Sequence, residues 1–346
     1  MKKWWQKIVD QAGFTIKDDP YGHSVQDKPR FLFQGLIERL IVKTAMPEDQ
    51  QRMIEDLAGR GRVVYAIKYR SQFDFVYLSL RLFQLGLPVP SFIFDLHPYF
   101  WQPRWYALKV LGYHFWYVVR NGCRPDPYTD HYYRDKLSEG KSGLLFLVGK
   151  RGYYKRAVLV GNDPVEHLVE IQSQSELPIF VVPLVLLYTR NPGKQRRGVM
   201  EMFLGHREQP GPVRKFLSFL QGYSSAALEA GEPLNLQAVL PELSENLSER
   251  RKQIFQLRRE LIDSVDEIRR AIVGPTVISK LELKEIILHH PRLEAHMQRR
   301  ARSTKQEVWK IRKEADQYLD EIAADYNYTM INVGEKIGRA SCRERV

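Results

Sequence analysis

Apolar runs alternate along the chain with segments of helical periodicity. The run over residues 63–67 is apolar, contains several branched side chains and follows Gly61, which predicts a buried strand. Phe75, Leu78 and Leu82 then recur at helical spacing, which predicts a helix directly after that strand. Further strands are predicted over 91–94, 115–120, 142–148 and 177–187. Because predicted strands and helices alternate, we expect an α/β fold with a mostly parallel central sheet and flanking helices.

From residue 212 onward the pattern becomes helical, which predicts a helical extension after the sheet. An apolar stripe at steps of three and four residues marks one long helix, and it comprises Ile254, Leu257, Leu261, Val265, Ile268 and Ile272. Ser279, Pro291 and Ser303 are typical starts of three further helices. If the stripe were exposed in the folded chain, it would mark the surface of a lost partner.

The chain divides by pattern into four parts. Residues 1–29 form an N-terminal segment in which Trp4 and Trp5 lie among lysines, as in an interfacial membrane anchor, although such a segment can equally pack on the domain. Residues 30–240 are predicted to form the α/β domain, and residues 245–337 a helical connector. Residues 338–346 resemble the translation of a common sequencing adapter, so we leave them out of the fold prediction.

The net charge of +12 favours polyanionic partners, which include nucleic acid, an anionic membrane and phosphorylated small molecules. The chain has no zinc-ligand spacing and no recognisable motif for reading DNA or RNA, so we predict no nucleic-acid partner. The two cysteines, Cys123 and Cys342, form no disulfide framework and no metal pattern. We therefore predict neither a metal nor a cofactor. His114 and the pair His289-His290 are more typical of packed or helix-end histidines than of ligands.

The turn after the first predicted strand carries the first candidate chemistry. Tyr69, Arg70, Ser71 and Asp74 lie there, and ligands of open α/β sheets usually bind outside the carboxyl ends of the strands. The same residues also have an ordinary structural interpretation. A serine or aspartate caps a helix start, and an Arg–Asp pair at such a position is common.

Four segments, taken in order, resemble the motifs of the glycerolipid acyltransferases. Residues 69–74, Tyr-Arg-Ser-Gln-Phe-Asp, are similar to the first motif, His-x4-Asp, in which Arg-Ser follows the histidine. Residues 111–120 resemble the second motif, a glycine leading a strand that ends in arginine, here Arg120. Residues 146–152 resemble the third motif and residues 181–184 the fourth, an apolar strand that carries proline. In the third motif this chain has Val148 where the family has an acidic residue.

Residues 231–234, 273–275 and 318–328 extend the resemblance to the long, membrane-associated form of the bacterial glycerol-3-phosphate acyltransferases. Chains of that family carry a degenerate acyltransferase-like front half and a catalytic back half. The resemblance therefore implies that this chain is the front half plus the connector, truncated before the catalytic domain. It also implies a peripheral location at the cytoplasmic face of the bacterial inner membrane, with the anionic membrane surface and the missing catalytic domain as partners.

The resemblance implies transfer of an acyl group from acyl-CoA or acyl-carrier protein to glycerol 3-phosphate. In the family a histidine takes the hydroxyl proton, and an aspartate orients that histidine. The counterparts of these two residues in this chain are Tyr69 and Asp74. A phenol with a pKa of about 10 is a poor base at neutral pH, so we expect this segment to be non-catalytic. The candidates for holding the substrate phosphate are Arg70, Ser71, Arg120, Lys150 and Arg151.

Two other functions stay open at this point. One is a non-enzymatic module that binds lipid or membrane and serves as a scaffold. The other is an active acyltransferase with unusual residues at its catalytic positions.

Overall fold

A computed structural model describes residues 21, 45–96, 104–159, 161–190, 223–244, 246–273 and 278–322. The segment proposed as an N-terminal anchor, apart from Tyr21, and the adapter-like residues 338–346 lie outside the described residues. The strands are β1 (Arg62–Tyr69), β2 (Pro90–Ile93), β3 (Ser142–Val148), β4 (Ile179–Arg190), β5 (Tyr223–Ala230) and β6 (Leu234–Asn235). The helices before β5 are α1 (Glu48–Arg60), α2 (Gln72–Gln84), α3 (Arg104–Asn121), α4 (Tyr132–Ser138), α5 (Lys150–Tyr153) and α6 (Pro164–Ser173).

The helices after the sheet are α7 (Leu236–Val239), α8 (Leu247–Val273), α9 (Lys280–Leu288), α10 (Pro291–Thr304) and α11 (Val308–Ile322). None of the helices among the described residues is long and apolar enough to cross a membrane. The described residues divide into two compact units. The first unit holds the sheet with α1–α4 and α6–α8, and the second holds residues 153–159 with α9–α11.

The strands form one sheet in the order β2-β3-β1-β4-β5, and β6 pairs with β4 in antiparallel orientation. The pairs β1–β3, β1–β4 and β2–β3 are parallel. The predicted α/β fold with a mostly parallel sheet, flanking helices and a helical extension is therefore confirmed. The interior of β1 is buried throughout because its neighbours cover both edges and helices pack on it, as an unbroken apolar run predicts.

One predicted element is wrong. Residues 115–120 do not form a strand but the second half of α3, which runs through Gly112 without a break. Leu108, Leu111 and Phe115 continue the same helical spacing on both sides of that glycine. A glycine inside a helix costs only about 1 kcal/mol, so it does not by itself end one. The counterpart of the second acyltransferase motif is thus helical in this chain.

The starts of the last helices were predicted with mixed success. Ser279 caps α9, where its hydroxyl oxygen accepts a hydrogen bond from the Glu282 backbone N–H, and Pro291 begins α10, as predicted. Ser303 does not start a helix. It lies in the last turn of α10, where its hydroxyl donates to the Arg300 carbonyl, and α11 begins at Val308.

The apolar stripe of α8 packs on the sheet of the first unit. Ile254, Leu257, Leu261 and Val265 are buried, and the helix contacts β1, β3 and α6. The stripe is therefore an interior surface of this unit, apart from the exposed Ile272 at its end. The predicted domain boundaries at 240 and 245 stay predictions, while α8 itself belongs with the sheet.

Gly231 shows how closely α8 approaches the sheet. Its backbone N–H donates to the Pro183 carbonyl of β4 at 2.8 Å. A β-carbon at this position would lie 2.8 Å from the Ile268 side chain and 2.9 Å from the Ser264 hydroxyl. A larger residue would therefore push α8 away from the strand.

Two buried ion pairs fix α8. Lys68, one residue before the end of β1, donates to both carboxylate oxygens of Asp266 at 2.7 and 2.6 Å. Arg258 pairs with Asp163, whose other oxygen accepts from the Val165 backbone N–H and so caps α6. Arg258 is not part of the predicted apolar stripe of this helix, yet it is buried, because Asp163 gives it a partner inside.

The second unit has its own core and its own buried charges. Tyr153, Ala157 and Val158 pack with Leu288, Met297, Ala301 and Ile311. Residues 154–158 form a π-helical turn, and within it Arg156 donates to both carboxylate oxygens of Glu285 at 2.7 and 3.0 Å. The Tyr153 hydroxyl donates to Asp316 at 2.6 Å, and burial raises the pKa of Tyr153 well above its ordinary value.

Replacing Asp266 by alanine should destabilise the first unit strongly. The change removes both oxygens that accept from the buried Lys68 ammonium, and breaking a buried pair typically costs about 3–5 kcal/mol. The matched control is Asp263→Ala on the same helix, because Asp263 is half exposed and pairs with Arg259 at 3.2 Å; about 1 kcal/mol or less is expected there. Urea unfolding followed by circular dichroism measures the free energy of unfolding of both variants. Equal losses of stability would contradict the assignment of Lys68 and Asp266 as a buried, stabilising pair.

Candidate anion site at the sheet edge

The carboxyl end of β1 leads directly into α2. Ser71 has extended backbone and caps α2, and its hydroxyl oxygen accepts a hydrogen bond from the Asp74 backbone N–H at 3.2 Å. Asp74 is buried in the first turn, where a carboxylate is favoured by the positive end of the helix dipole. The capping interpretation is therefore confirmed for Ser71, and this cap leaves the Ser71 hydroxyl proton available as a donor.

The first and third motif segments meet at this edge. Tyr69 of β1 is in register with Val148 of β3, and the Arg70 backbone N–H donates to the Val148 carbonyl at 3.3 Å. Gly149 is buried beside the Arg70 side chain, and a β-carbon there would lie 3.2 Å from the β-carbon of Arg70. The glycine thus allows the two turns to approach each other.

Basic side chains gather where the two turns meet. Arg70 is half-buried, whereas Lys150 and Arg151 are exposed at the start of α5. Burial lowers the pKa of Arg70, the positive charge of Arg151 lowers it further, and Asp95 opposes both effects. An arginine keeps its charge at neutral pH, so the edge holds two cations that repel each other.

Asp95 is a residue of this site that the sequence analysis missed. It follows the end of β2 and has a φ of 58°, a left-handed conformation that aspartate tolerates better than most residues. Its backbone N–H donates to the Tyr133 hydroxyl at 3.4 Å. Burial raises the pKa of Tyr128, and the negative charge of Asp95 adds to that rise. An acidic residue just after a predicted strand is the signal that could have identified it.

Lys68 and Tyr69 complete the edge. The Lys68 ammonium lies 5.3 Å from the centre of the Tyr69 ring, while it also binds Asp266. The strand end therefore carries a phenol at the position where the acyltransferase motif has histidine. Tyr69 is half-buried and its ring lies beside a cation.

Arg120, which the sequence also proposed as a phosphate-binding residue, lies on α3 and not at the end of a strand. It is exposed in the last turn of α3, and no hydrogen bond or ion pair joins it to the described residues of the β1 and β3 turns. The prediction for Arg120 rested on a strand over 115–120, and that segment is instead the second half of α3.

The described histidines of the first unit lie on helices or before one. The His114 ring on α3 is 6.5 Å from the Tyr21 ring. His131 precedes α4 in a left-handed conformation. His167 on α6 stacks edge-on against Tyr128 with ring centres 5.0 Å apart, and burial lowers its pKa, so its imidazole is neutral at pH 7.

The described residues contain no group of three His, Cys, Asp or Glu side chains that could hold a metal ion. Cys123 is exposed. What the edge offers is therefore a set of cationic and hydroxyl donors: Arg70, Arg151, Lys150 and Ser71. Such donors bind a phosphate or a carboxylate well.

No protein-family model matches the chain. Among curated proteins, it is similar to the glycerol-3-phosphate acyltransferase of Pseudoalteromonas translucida, with 25% identity over 303 residues, which covers 87% of this chain and 32% of that protein. The acyltransferase of the same name from Actinobacillus succinogenes is 25% identical over 251 residues, or 68% of this chain and 28% of the relative. That of Pseudoalteromonas atlantica is 26% identical over 202 residues, or 56% and 24%.

The chain thus spans about a third or less of the length of these curated relatives. Several homologues named glycerol-3-phosphate acyltransferase cover much of the chain at about 25% identity. The chain is related to those proteins at low identity.

Proposed function

We propose that this chain is part of a glycerol-3-phosphate 1-O-acyltransferase and that this segment does not itself catalyse acyl transfer. The protein would move an acyl group from acyl-CoA or acyl-carrier protein to glycerol 3-phosphate, as a step of phospholipid synthesis. One observation carries the non-catalytic part: Tyr69 stands at the end of β1, where the acyltransferase motif has its histidine.

The chemistry of acyl transfer explains why the residue at position 69 determines whether this segment can be catalytic. Attack on a thioester requires removal of the proton from the glycerol hydroxyl, and a positioned base contributes about 10²–10⁴-fold to such a step. A phenol is protonated at neutral pH and accepts a further proton poorly. Asp74 is buried at the start of α2, so its carboxylate stabilises the helix start whether or not a base is present.

The same edge keeps features suited to a phosphate. Arg70 and Arg151 repel each other, and Asp95 is the carboxylate that acts on Arg70 against that repulsion. A phosphate between the two guanidinium groups would relieve the repulsion and accept hydrogen bonds from both. We infer that this unit binds the phosphate of glycerol 3-phosphate, or a related anion, without turning it over.

The remaining partners follow from the same proposal. The catalytic domain would lie beyond residue 337 in the full-length protein, and the protein would sit peripherally on the anionic cytoplasmic face of the bacterial inner membrane. The net charge of +12 favours binding of this chain to an anionic membrane surface. A His-Arg-Ser-x-x-Asp-like motif, within about one domain length downstream in the coding DNA, would support the two-domain arrangement, and its absence would contradict it.

Inorganic phosphate should stabilise the chain through Arg70 and Arg151. We expect a rise in Tm of about 2–4 °C for each kcal/mol of binding, relative to chloride at equal ionic strength. Arg70→Gln and Arg151→Gln should each remove most of that rise. Arg52→Gln is the matched control, because this exposed arginine lies on α1, where it pairs with Glu48 at 3.4 Å, and its replacement should leave the rise intact. A rise that neither edge variant reduces would contradict the site.

The purified chain should produce no lysophosphatidate above background from glycerol 3-phosphate with either acyl-CoA or acyl-carrier protein thioester. Radiolabelled glycerol 3-phosphate makes the measurement sensitive. The opposite outcome would be turnover that is abolished by Asp74→Ala but kept in the control Asp263→Ala. That outcome would contradict the non-catalytic proposal and would favour an active acyltransferase with another base. No turnover together with phosphate binding supports the proposal.

A further inference from the structure

Helix α3 presents one face that is both apolar and exposed. Leu108, Leu111, Phe115, Val118 and Val119 recur at steps of three and four, so they share one side of the helix. Phe115 is 72% exposed and Leu111 is 64% exposed. At a rise of about 1.5 Å per residue, the face extends roughly 16 Å along the helix. Contiguous apolar surface of this kind marks a contact with a membrane or another molecule.

A different side of α3, turned roughly 90–130° from the apolar face, packs on the domain. Val110 is fully buried, and the His114 ring lies 6.5 Å from the Tyr21 ring. The apolar face is therefore not the inward side of the helix. Helix α8 of the same unit follows the usual pattern, because its outward positions are charged and include Glu260, Asp263 and Glu267. The exposed apolar face therefore distinguishes α3 from α8.

The charges of α3 are all positive. Its 18 residues contain no aspartate or glutamate. Lys109, Trp116 and Arg120 lie together on a second stripe of α3, turned roughly 110–150° from the middle of the apolar face when successive residues are placed about 100° apart. Arg124, exposed just beyond the helix, adds a further cation. An apolar face combined with a polar side that carries only positive charge is typical of helices that lie in the headgroup region of an anionic bilayer.

We propose that α3 is the membrane-contacting element of this chain and lies in the plane of an anionic phospholipid surface. Leu111, Phe115 and Val119 would enter the acyl-chain boundary, while the positive charges of Lys109 and Arg120 would attract the helix to the anionic headgroups. Charge decides between lipid and a second copy of this chain, since a copy would bring the same cations together. The proposal rests on the membrane attachment proposed above and does not depend on catalysis or on the anion site.

Co-sedimentation with vesicles tests the proposal. The chain is mixed with vesicles of phosphatidylcholine alone or of phosphatidylcholine with phosphatidylglycerol, and bound protein is measured against lipid concentration. We expect binding that rises with phosphatidylglycerol content. The double variant Leu111→Ser/Phe115→Ser should weaken binding about ten-fold or more, because it removes two apolar side chains from the lipid. Lys109→Glu/Arg120→Glu should remove most of the dependence on anionic lipid, about five-fold for each cation.

Phe83→Ser is the matched control. Phe83 is 52% exposed on α2 of the same unit, outside the proposed face, so its replacement should leave vesicle binding unchanged. Circular dichroism verifies that each variant is folded. Binding that the α3 variants leave intact would overturn the role of α3 but leave membrane attachment standing.

Two other outcomes would overturn the proposal in different ways. If the chain binds neither vesicle composition, both the role of α3 and membrane attachment by this chain are wrong, while the turnover and phosphate experiments remain independent of that result. If the chain binds no vesicles but forms a dimer that Leu111→Ser/Phe115→Ser dissociates, the face is an interface between copies.

Discussion

A buried ammonium–carboxylate pair joins the end of the central strand to the longest helix of the first unit. Lys68 precedes the strand's last residue, and its contact with Asp266 ties that end to α8 while the apolar side chains of α8 cover the sheet. A charge taken out of water requires a partner of this kind, and the helix cannot shift along the sheet without separating the Lys68 ammonium from the Asp266 carboxylate. The turn that follows, with Arg70, Ser71 and Asp74, is thereby held against the turn after β3.

That constraint explains why the sheet edge keeps an ordered arrangement although Tyr69 stands where the acyltransferase motif has histidine. Parallel pairing of β1 with β3 brings Arg70 next to Gly149 and near Arg151, whatever residue stands at position 69. The elements that position the edge are backbone hydrogen bonds, a helix cap and a glycine, and none of them needs a histidine. Loss of the base and retention of anion-binding geometry are therefore physically independent, which is the combination that we propose for this chain.

Much of the fold could be predicted from sequence, because buried parallel strands are short apolar runs and α8 has a regular stripe. The strand predicted over 115–120 failed for a physical reason: exposed apolar residues on the outside of a helix produce the same uninterrupted apolar run as a buried strand. The turn residues Arg70, Ser71 and Asp74 were predicted, and their capping role follows from residue type. Asp95 and the buried pairs of Lys68 and Arg258 were not, because sequence alone does not show which distant carboxylate meets a cation.

The most direct test of the account compares acyl transfer by the full-length protein with that by a double variant, Tyr69→Phe/Asp74→Asn. If the turn after β1 is not catalytic, the initial rate per folded protein should stay within about two-fold of the unmodified protein. A loss of about a hundred-fold or more, the size expected when a general base or its orienting carboxylate is removed, would contradict the account. Tm measured on the same preparations separates a lost catalytic group from a lost fold.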